Sequence, residues 1–279
     1  MFPTIFRIGD FEITSFGLMM FLSFISGAWV MGKQLKRYGM NPDLAWDILA
    51  WVAIGGILGA KLYYLALHWQ DVVADPFHEL TSRGGLVWYG GLIGGITALW
   101  LQIRPKKDKP RQPVAKIYDS TAPALAVAYA VGRMGCFLVG DDYGVYTDSP
   151  IGIAFPKGAP PSTAGHLRAA GDHGVPANLP DNAVVTVHPT QLYEIGLALI
   201  MFVILWHLGG KKLKPGQLFA VFMMLYAVER FVIEFVRAKT DRILGLSTSQ
   251  FASIALLGLG IYFWQRQGRQ AAQPAARAK

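Results

Sequence analysis

Residues 44–67 read LAWDILAWVAIGGILGAKLYYLAL, 24 residues interrupted by only two charges, Asp47 and Lys61. A helix rises 1.5 Å per residue, so a run of this length is enough to cross about 30 Å of hydrocarbon, which takes roughly 17–25 apolar residues. Six more apolar stretches flank it, approximately Ile13 to Met31, Leu86 to Ile103, Ile117 to Leu138, Gln191 to Leu208, Gly216 to Val236 and Leu246 to Trp264. Composition agrees: the 279 residues are 53% hydrophobic and 16% charged, with a mean hydropathy of +0.34, where a soluble domain carries about 25% charged residues. The pattern predicts an all-α integral membrane protein with seven transmembrane helices. Met1 to Asp10 has no basic region and no small-residue cleavage site, so the first span reads as retained and not as a removable signal peptide.

Basic loops stay on the cytoplasmic side, and that rule orients the chain. Sixteen of the 26 Lys and Arg residues fall after the first, third and fifth spans and in the tail, including Lys33, Lys36, Arg37, Arg104 to Lys116, Lys211, Lys212, Lys214 and Arg266 to Lys279. The opposite side holds seven: Arg7, Arg83, Lys157, Arg168, Arg237, Lys239 and Arg242. The N-terminus is therefore expected outside and the C-terminus in the cytoplasm. The net charge of +8 follows from this asymmetry and from attraction to anionic lipid, so nucleic-acid binding has no part in the reading. Four regions result: helices one to four with an N-terminal arm (1–138), an outward segment (139–187), helices five to seven (188–264) and a cytoplasmic tail (265–279). The outward segment, about fifty residues with six prolines, is too long for a simple connection and is expected to form a small head over the membrane.

Three basic residues remain inside the spans, Lys61, Arg133 and Arg230. A charge at the bilayer centre costs at least about 2.5–3.5 kcal/mol, so it faces the protein interior and finds a partner, or snorkels to the interface if it lies near a helix end. Both readings stay open for Lys61. Tyr226, Arg230, Glu234 and Arg237 recur at helical spacing and form one polar stripe on the sixth helix. Glu234 would neutralise one arginine as an internal salt bridge; a second arginine leaves positive charge for an anionic ligand, and the planar guanidinium suits phosphate. The fourth span ends in GRMGCFLVGDDYG, Gly132 to Gly144, with Asp141 and Asp142 just outside. The fifth begins with HPTQLYE, His188 to Glu194, where Pro189 suits a first helical turn and His188, Gln191 and Glu194 follow at spacing three. His188 also fits a plain structural role, bonded to backbone at the start of the helix. Gln191, Tyr193 and Glu194 need partners at this depth, and Arg133 and Arg230 are the groups available.

One cysteine, Cys136, allows neither a disulfide nor a cysteine zinc site, and it reads as a small helix-packing residue. No metal or cofactor is expected. The run GGLVWYGGLIGG, Gly84 to Gly95, opens a membrane helix and follows no soluble strand, so its glycines serve close helix packing or re-entrant backbone.

These strings resemble the bacterial phosphatidylglycerol:prolipoprotein diacylglyceryl transferase family. The resemblance runs from ITSFGLMM (13–20) through GGLVWYGGLIGG, GRMGCFLVGDDYG, HPTQLYE and YAVERFVIEFVR (226–237) to LSTSQ (246–250). It implies seven transmembrane helices, an outward head and a cytoplasmic C-terminus. It also implies transfer of the sn-1,2-diacylglyceryl group of phosphatidylglycerol to the lipobox cysteine thiol of a prolipoprotein signal peptide, with glycerol phosphate released, in the bacterial inner membrane. By this resemblance Arg133 is the signature arginine and Arg230 the essential arginine of the sixth helix, with Tyr226 and Glu234 as neighbours. Asp141 stands where the family usually has Glu, and Gly144 is the closing glycine. Arg133, Arg230, Tyr89, His188 and Glu194 are the catalytic candidates; Tyr226, Glu234, Arg237, Asp141, Gly144, Gln191, Tyr193 and Lys61 are the substrate-binding ones. Three positions depart from the family pattern: Tyr89 for the usual His, Cys136 for Asn, and Phe16 for Tyr. A phenol of pKa about 10 is a poor base at neutral pH, so Tyr89 orients lipid or another group, His188 or Glu194, takes the proton. A transporter, or a paralogous lipid-binding membrane protein without transferase activity, would keep the buried charges too. The first calls for internal repeats or paired broken helices, and neither is evident here.

Overall fold

The computed structural model describes residues 1–8, 11–82, 87–104, 113–237 and 242–270. Most of the basic loop from Arg104 to Lys116, the tail beyond Gln270, Arg83, Lys239 and the first residues of the Gly84 to Gly95 run therefore lie outside the described residues. The chain is mainly helical. In order it forms the hairpin β1 (Thr4–Ile8) and β2 (Phe11–Thr14), then α1 (Ser15–Arg37), α2 (Leu44–Leu67), the short α3 (Trp69–Ala74) and α4 (Pro76–Thr81), α5 (Trp88–Ile103) and α6 (Val114–Val139). There follow β3 (Ile153–Ala154), α7 (Ala164–Ala169), β4 (Thr186–Val187), α8 (Thr190–Leu208), α9 (Gln217–Ile233), a 3-10 turn (Glu234–Val236), β5 (Arg242–Ile243), β6 (Leu246–Ser247) and α10 (Thr248–Gln270). Each of the seven apolar stretches is helical over most of its length. Four of these helices, α1, α2, α6 and α8, are long and apolar enough to cross a membrane. Three boundaries differ from the sequence reading, because Ile13 and Thr14 close the first hairpin, Leu246 and Ser247 pair with β5, and the regular turn of α9 stops at Ile233.

Two compact units divide the chain, Gly32–Ile117 and Met1–Met31 with Tyr118–Lys279. In the first, α2 and α5 pack through glycine. A Cβ on Gly55 would lie 2.5 Å from that of Ala98, and one on Gly94 would lie 2.9 Å from the Cα of Gly59, so the two backbones touch. The glycines of the Gly84 to Gly95 run that are described thus serve helix packing. Lys61 extends from α2 to Ser82, its Nζ 3.0 Å from both the carbonyl and the hydroxyl, and lies 5.4 Å from the ring centre of Tyr64. It is a paired lysine.

In the second unit α6, α8 and α9 share a core built from Ala122, Ala126, Ala130, Ala198, Met201, Leu205 and Leu218. Alanine on α6 permits close approach, and α1 closes in the same way: Ser23 donates to the Ala128 carbonyl at 2.8 Å, and a Cβ on Gly135 would lie 3.0 Å from the Cβ of Met19. Buried Asp119 on α6 caps the start of α9, accepting from the amides of Gly216 at 2.7 Å and Phe219 at 2.9 Å. The segment between α6 and α8 has a core of its own. Phe155, Leu167 and Val187 are buried at its centre, Tyr143 stacks on Phe155, and the Ser162 hydroxyl ties Phe155 to Val185 with two bonds of 2.9 Å.

Candidate functional site

The site forms where α6, α8 and α9 end or begin, around a single carboxylate. Glu194, in the second turn of α8, is completely buried. Its Oε1 lies 2.9 Å from Nη1 of Arg230 on α9 and 3.7 Å from Nη1 of Arg237, while Oε2 is ion-paired with Nη2 of Arg133 on α6. Asp142, just past α6, forms the second bridge: Oδ2 lies 2.6 Å from Nη1 of Arg133, and Oδ1 is ion-paired with Arg237. Glu234 completes the set, 3.8 Å from Nη2 of Arg230 and accepting from the Ser247 hydroxyl at 2.7 Å. Guanidinium groups suit such a knot because each presents donors along several directions in one plane.

Local backbone geometry aims these groups. Gly140 follows α6 in the left-handed region at φ 76° and Asp142 is left-handed at φ 57°, a conformation Asp tolerates better than most residues, so the chain turns back over the helix end and Asp142 meets the arginines. Two residues on, the chain pairs with the strand-like approach to α8: Gly144 donates to the His188 carbonyl and His188 to that of Val145, both at 2.9 Å, and Val145 donates to the Val236 carbonyl at 2.9 Å. A Cβ on Gly144 would lie 2.8 Å from Thr190 Cγ2 and 3.0 Å from His188 Cβ, so this position admits only glycine without displacement. Thr190 donates through its hydroxyl to the Asp142 carbonyl at 2.9 Å and Gln191 through its amide to that of Asp141 at 2.5 Å, locking the turn onto α8. Burial pushes the Asp141 carboxyl above its ordinary value. Burial acts in the same sense on Asp142, but the Arg237 and Arg133 guanidiniums outweigh it and hold that carboxyl below the usual range.

Several expectations from the sequence change here. Arg133, Arg230, Glu194, Glu234 and Arg237 do come together. The surplus of positive charge does not: three arginines meet three carboxylates, because Asp142 joins Glu194 and Glu234 in the cluster. Asp142, and not the candidate Asp141, makes both outer ion pairs, while Asp141 contributes a backbone carbonyl. α8 begins at Thr190 and not at Pro189, so His188 stands before the helix, apart from the face shared by fully buried Gln191 and Glu194, with its Nδ1 3.2 Å from the Tyr193 hydroxyl. Tyr226 lies one turn below Arg230 on α9, stacked with Phe222 and edge-on to Tyr129. Tyr89 is exposed on the first turn of α5, and both it and half-buried Lys61 on α2 belong to the other compact unit. Sequence reading missed Glu229 and Tyr129, which meet at 3.2 Å, although a glutamate three residues after Tyr226 in an apolar span is itself a signal.

A buried guanidinium–carboxylate cluster carried by apolar helices marks a multi-pass membrane protein. The profile of the prolipoprotein diacylglyceryl transferase family matches residues 3–266, and the chain belongs to this family. It is similar to two proteins named as phosphatidylglycerol–prolipoprotein diacylglyceryl transferases from Clostridium tetani (31% identical, 93% of this chain and 95% of that one) and Chromohalobacter salexigens (29% identical, 95% and 92%). A further relative in Clostridium perfringens, named as transferase 2, is 34% identical over 92% of both chains.

Proposed function

We propose that the protein transfers the sn-1,2-diacylglyceryl group of phosphatidylglycerol to the lipobox cysteine thiol of a prolipoprotein signal peptide. The setting of this reading is the bacterial cytoplasmic membrane, crossed seven times, with the N-terminus and the segment from 139 to 187 outside and the C-terminus in the cytoplasm. The observation that carries it is the convergence of Arg133, Arg230 and Arg237 on Glu194, with the Nε of Arg133 a buried donor that has no acceptor among the described residues.

In the reaction the thiolate sulfur attacks the sn-3 carbon of the lipid glycerol. A carbon–sulfur bond forms, the carbon–oxygen bond to phosphate breaks, and the electron pair goes to the bridging oxygen of departing glycerol phosphate. Charge grows on that phosphate as the bond breaks, so donors fixed beforehand lower the barrier. Arg133 and Arg230 supply those donors. Because the ion-paired groups balance in charge, the lipid phosphate is held by N–H geometry and not by net attraction, and the long Arg230–Glu234 and Arg237–Glu194 contacts are the ones that give way to it. Glu194 acts as a positioning residue: both of its oxygens face guanidinium groups, which leaves none free to take a proton. The thiol, with a pKa of about 8.5, ionises to interfacial water.

The test is an assay of purified protein in detergent with phosphatidylglycerol and a lipobox peptide. Wild type adds one diacylglyceryl mass to the peptide, and Arg230→Lys, which keeps charge but loses the planar fork, remains folded and loses most of the rate. Lack of transfer by folded wild type rules the reading out; equal rates in the lysine variant rule out the bidentate role.

A further inference from the structure

α9 carries a carboxylate that the transfer step does not use. Glu229 is 6% exposed, and its Oε1 accepts from the Tyr129 hydroxyl at 3.2 Å. Its Oε2 is buried and meets no hydrogen-bond donor among the described residues. Burying a carboxylate with one oxygen unsatisfied is costly, and a native protein keeps such a group where something else completes it.

The complementary deficit lies beside it. Tyr129 and Arg133 are four residues apart on α6 and share a face, and Glu229 interacts electrostatically with Arg230 and Arg133. Among the described residues Arg133 Nε is a buried donor lacking an acceptor, and Glu229 Oε2 a buried acceptor lacking a donor. One ligand satisfies both if it joins an anionic oxygen to a hydrogen-bond donor a few bonds away. Inorganic phosphate supplies the first and a fatty acyl chain supplies neither. An ammonium headgroup supplies a donor but brings a cation against Arg230, the next residue in the chain. A hydroxyl has no such conflict.

We propose that Glu229, oriented by Tyr129, accepts a hydrogen bond from a hydroxyl of the lipid headgroup whose phosphate Arg133 binds, and so selects glycerophospholipids with a hydroxylated headgroup. This rests on the transferase reading and adds a specificity-determining residue to it. Its mark is a preference between donors that differ only in their headgroup hydroxyls.

The experiment compares kcat/KM for phosphatidylglycerol and for phosphatidylpropanol, which has the same phosphodiester and no headgroup hydroxyl, with a lipobox peptide as acceptor. A hydrogen bond to a charged group corresponds to a preference of about tenfold or more for phosphatidylglycerol in wild type. In Glu229→Ala the ratio falls towards one. In Tyr129→Phe, which keeps the ring but releases the carboxylate, it falls part of the way. Should the alanine variant fail to fold, Glu229→Gln, which retains shape and loses charge, lowers the ratio several-fold. An unchanged ratio overturns the proposal, as does an equal loss with both donors, the sign of a merely structural role. Recovery of both donors at high pH overturns it too, in favour of proton acceptance from the thiol. Transfer from neither donor by folded wild type overturns the transferase reading itself, and the proposal with it.

Discussion

Replacing Glu194 with glutamine keeps the shape of the side chain at the centre of the cluster and removes its charge. Three guanidiniums then face a neutral amide, whose single carbonyl oxygen serves one of them and whose NH2 group meets another donor head-on. The arginine side chains are only 10, 20 and 13% exposed for Arg133, Arg230 and Arg237, so water cannot take the place of the lost carboxylate. Breaking a buried ion pair by removing one partner costs about 3–5 kcal/mol. The thermal midpoint in detergent should fall well outside scatter, because each kcal/mol is worth about 2–4 °C in a chain of roughly 150–250 residues and about 2 °C in one of 279. Activity should fall further than stability explains: a shift of about 1 Å in a phosphate-binding group costs on the order of 100-fold. The informative assay is the pH dependence of the residual rate. Wild type and Glu194→Gln should trace parallel profiles as the substrate thiol ionises through about pH 8.5, since Glu194 takes no proton. A deficit that closes as pH rises would refute this reasoning and make Glu194 the base.

Asp142 makes stability sensitive to acid. Its carboxyl is held below the unfolded value by Arg237 and Arg133 in spite of burial, so the stabilisation is complete above the unfolded pKa of about 3.9 and is lost as pH drops through the folded value; Asp142→Asn should be weaker at pH 7 but flatter in an acid titration of the thermal midpoint. Gly94→Ala drives a Cβ to 2.9 Å from Gly59 Cα, so α2 and α5 must separate at a cost of about 1–3 kcal/mol, and an unaltered midpoint would show that the glycine contact is not tight. Tyr89→Phe should lower transfer only several-fold, the worth of one hydrogen bond at about 1 kcal/mol, and equally at every pH; a near-complete loss recovered in alkali, with full activity in Tyr89→His, would give the phenol a proton-accepting role.

Helices and their order are legible in the sequence because apolar runs of sufficient length have few other uses. Arg133, Arg230 and Glu194 are legible for a related reason, since ionisable groups in such runs must meet one another. What the sequence hides is stoichiometry. Asp141 and Asp142 look equivalent along the chain, and only the left-handed turn at Asp142 decides which of them faces the arginines. Without that turn the cluster reads as surplus positive charge. His188 misleads for a similar reason: Pro189 suggests a helix start, but pairing of His188 with Gly144 and Val145 holds it in extended backbone, and the helical spacing to Gln191 no longer applies. Glu229 is visible as a polar residue in an apolar span, yet its half-empty carboxylate appears only once Tyr129 is placed against it.

The most direct test is to identify what leaves the lipid. Phosphatidylglycerol labelled in its headgroup glycerol is given to the purified protein with a lipobox peptide, and water-soluble and lipid products are counted against modified peptide. Attack at the sn-3 carbon with phosphate departing into the arginine cluster predicts labelled glycerol phosphate, one per peptide, and a thioether that resists hydroxylamine. Label remaining in a lysophospholipid, with a hydroxylamine-sensitive thioester on the peptide, would mean acyl transfer instead and would contradict the role assigned to Arg133 and Arg230.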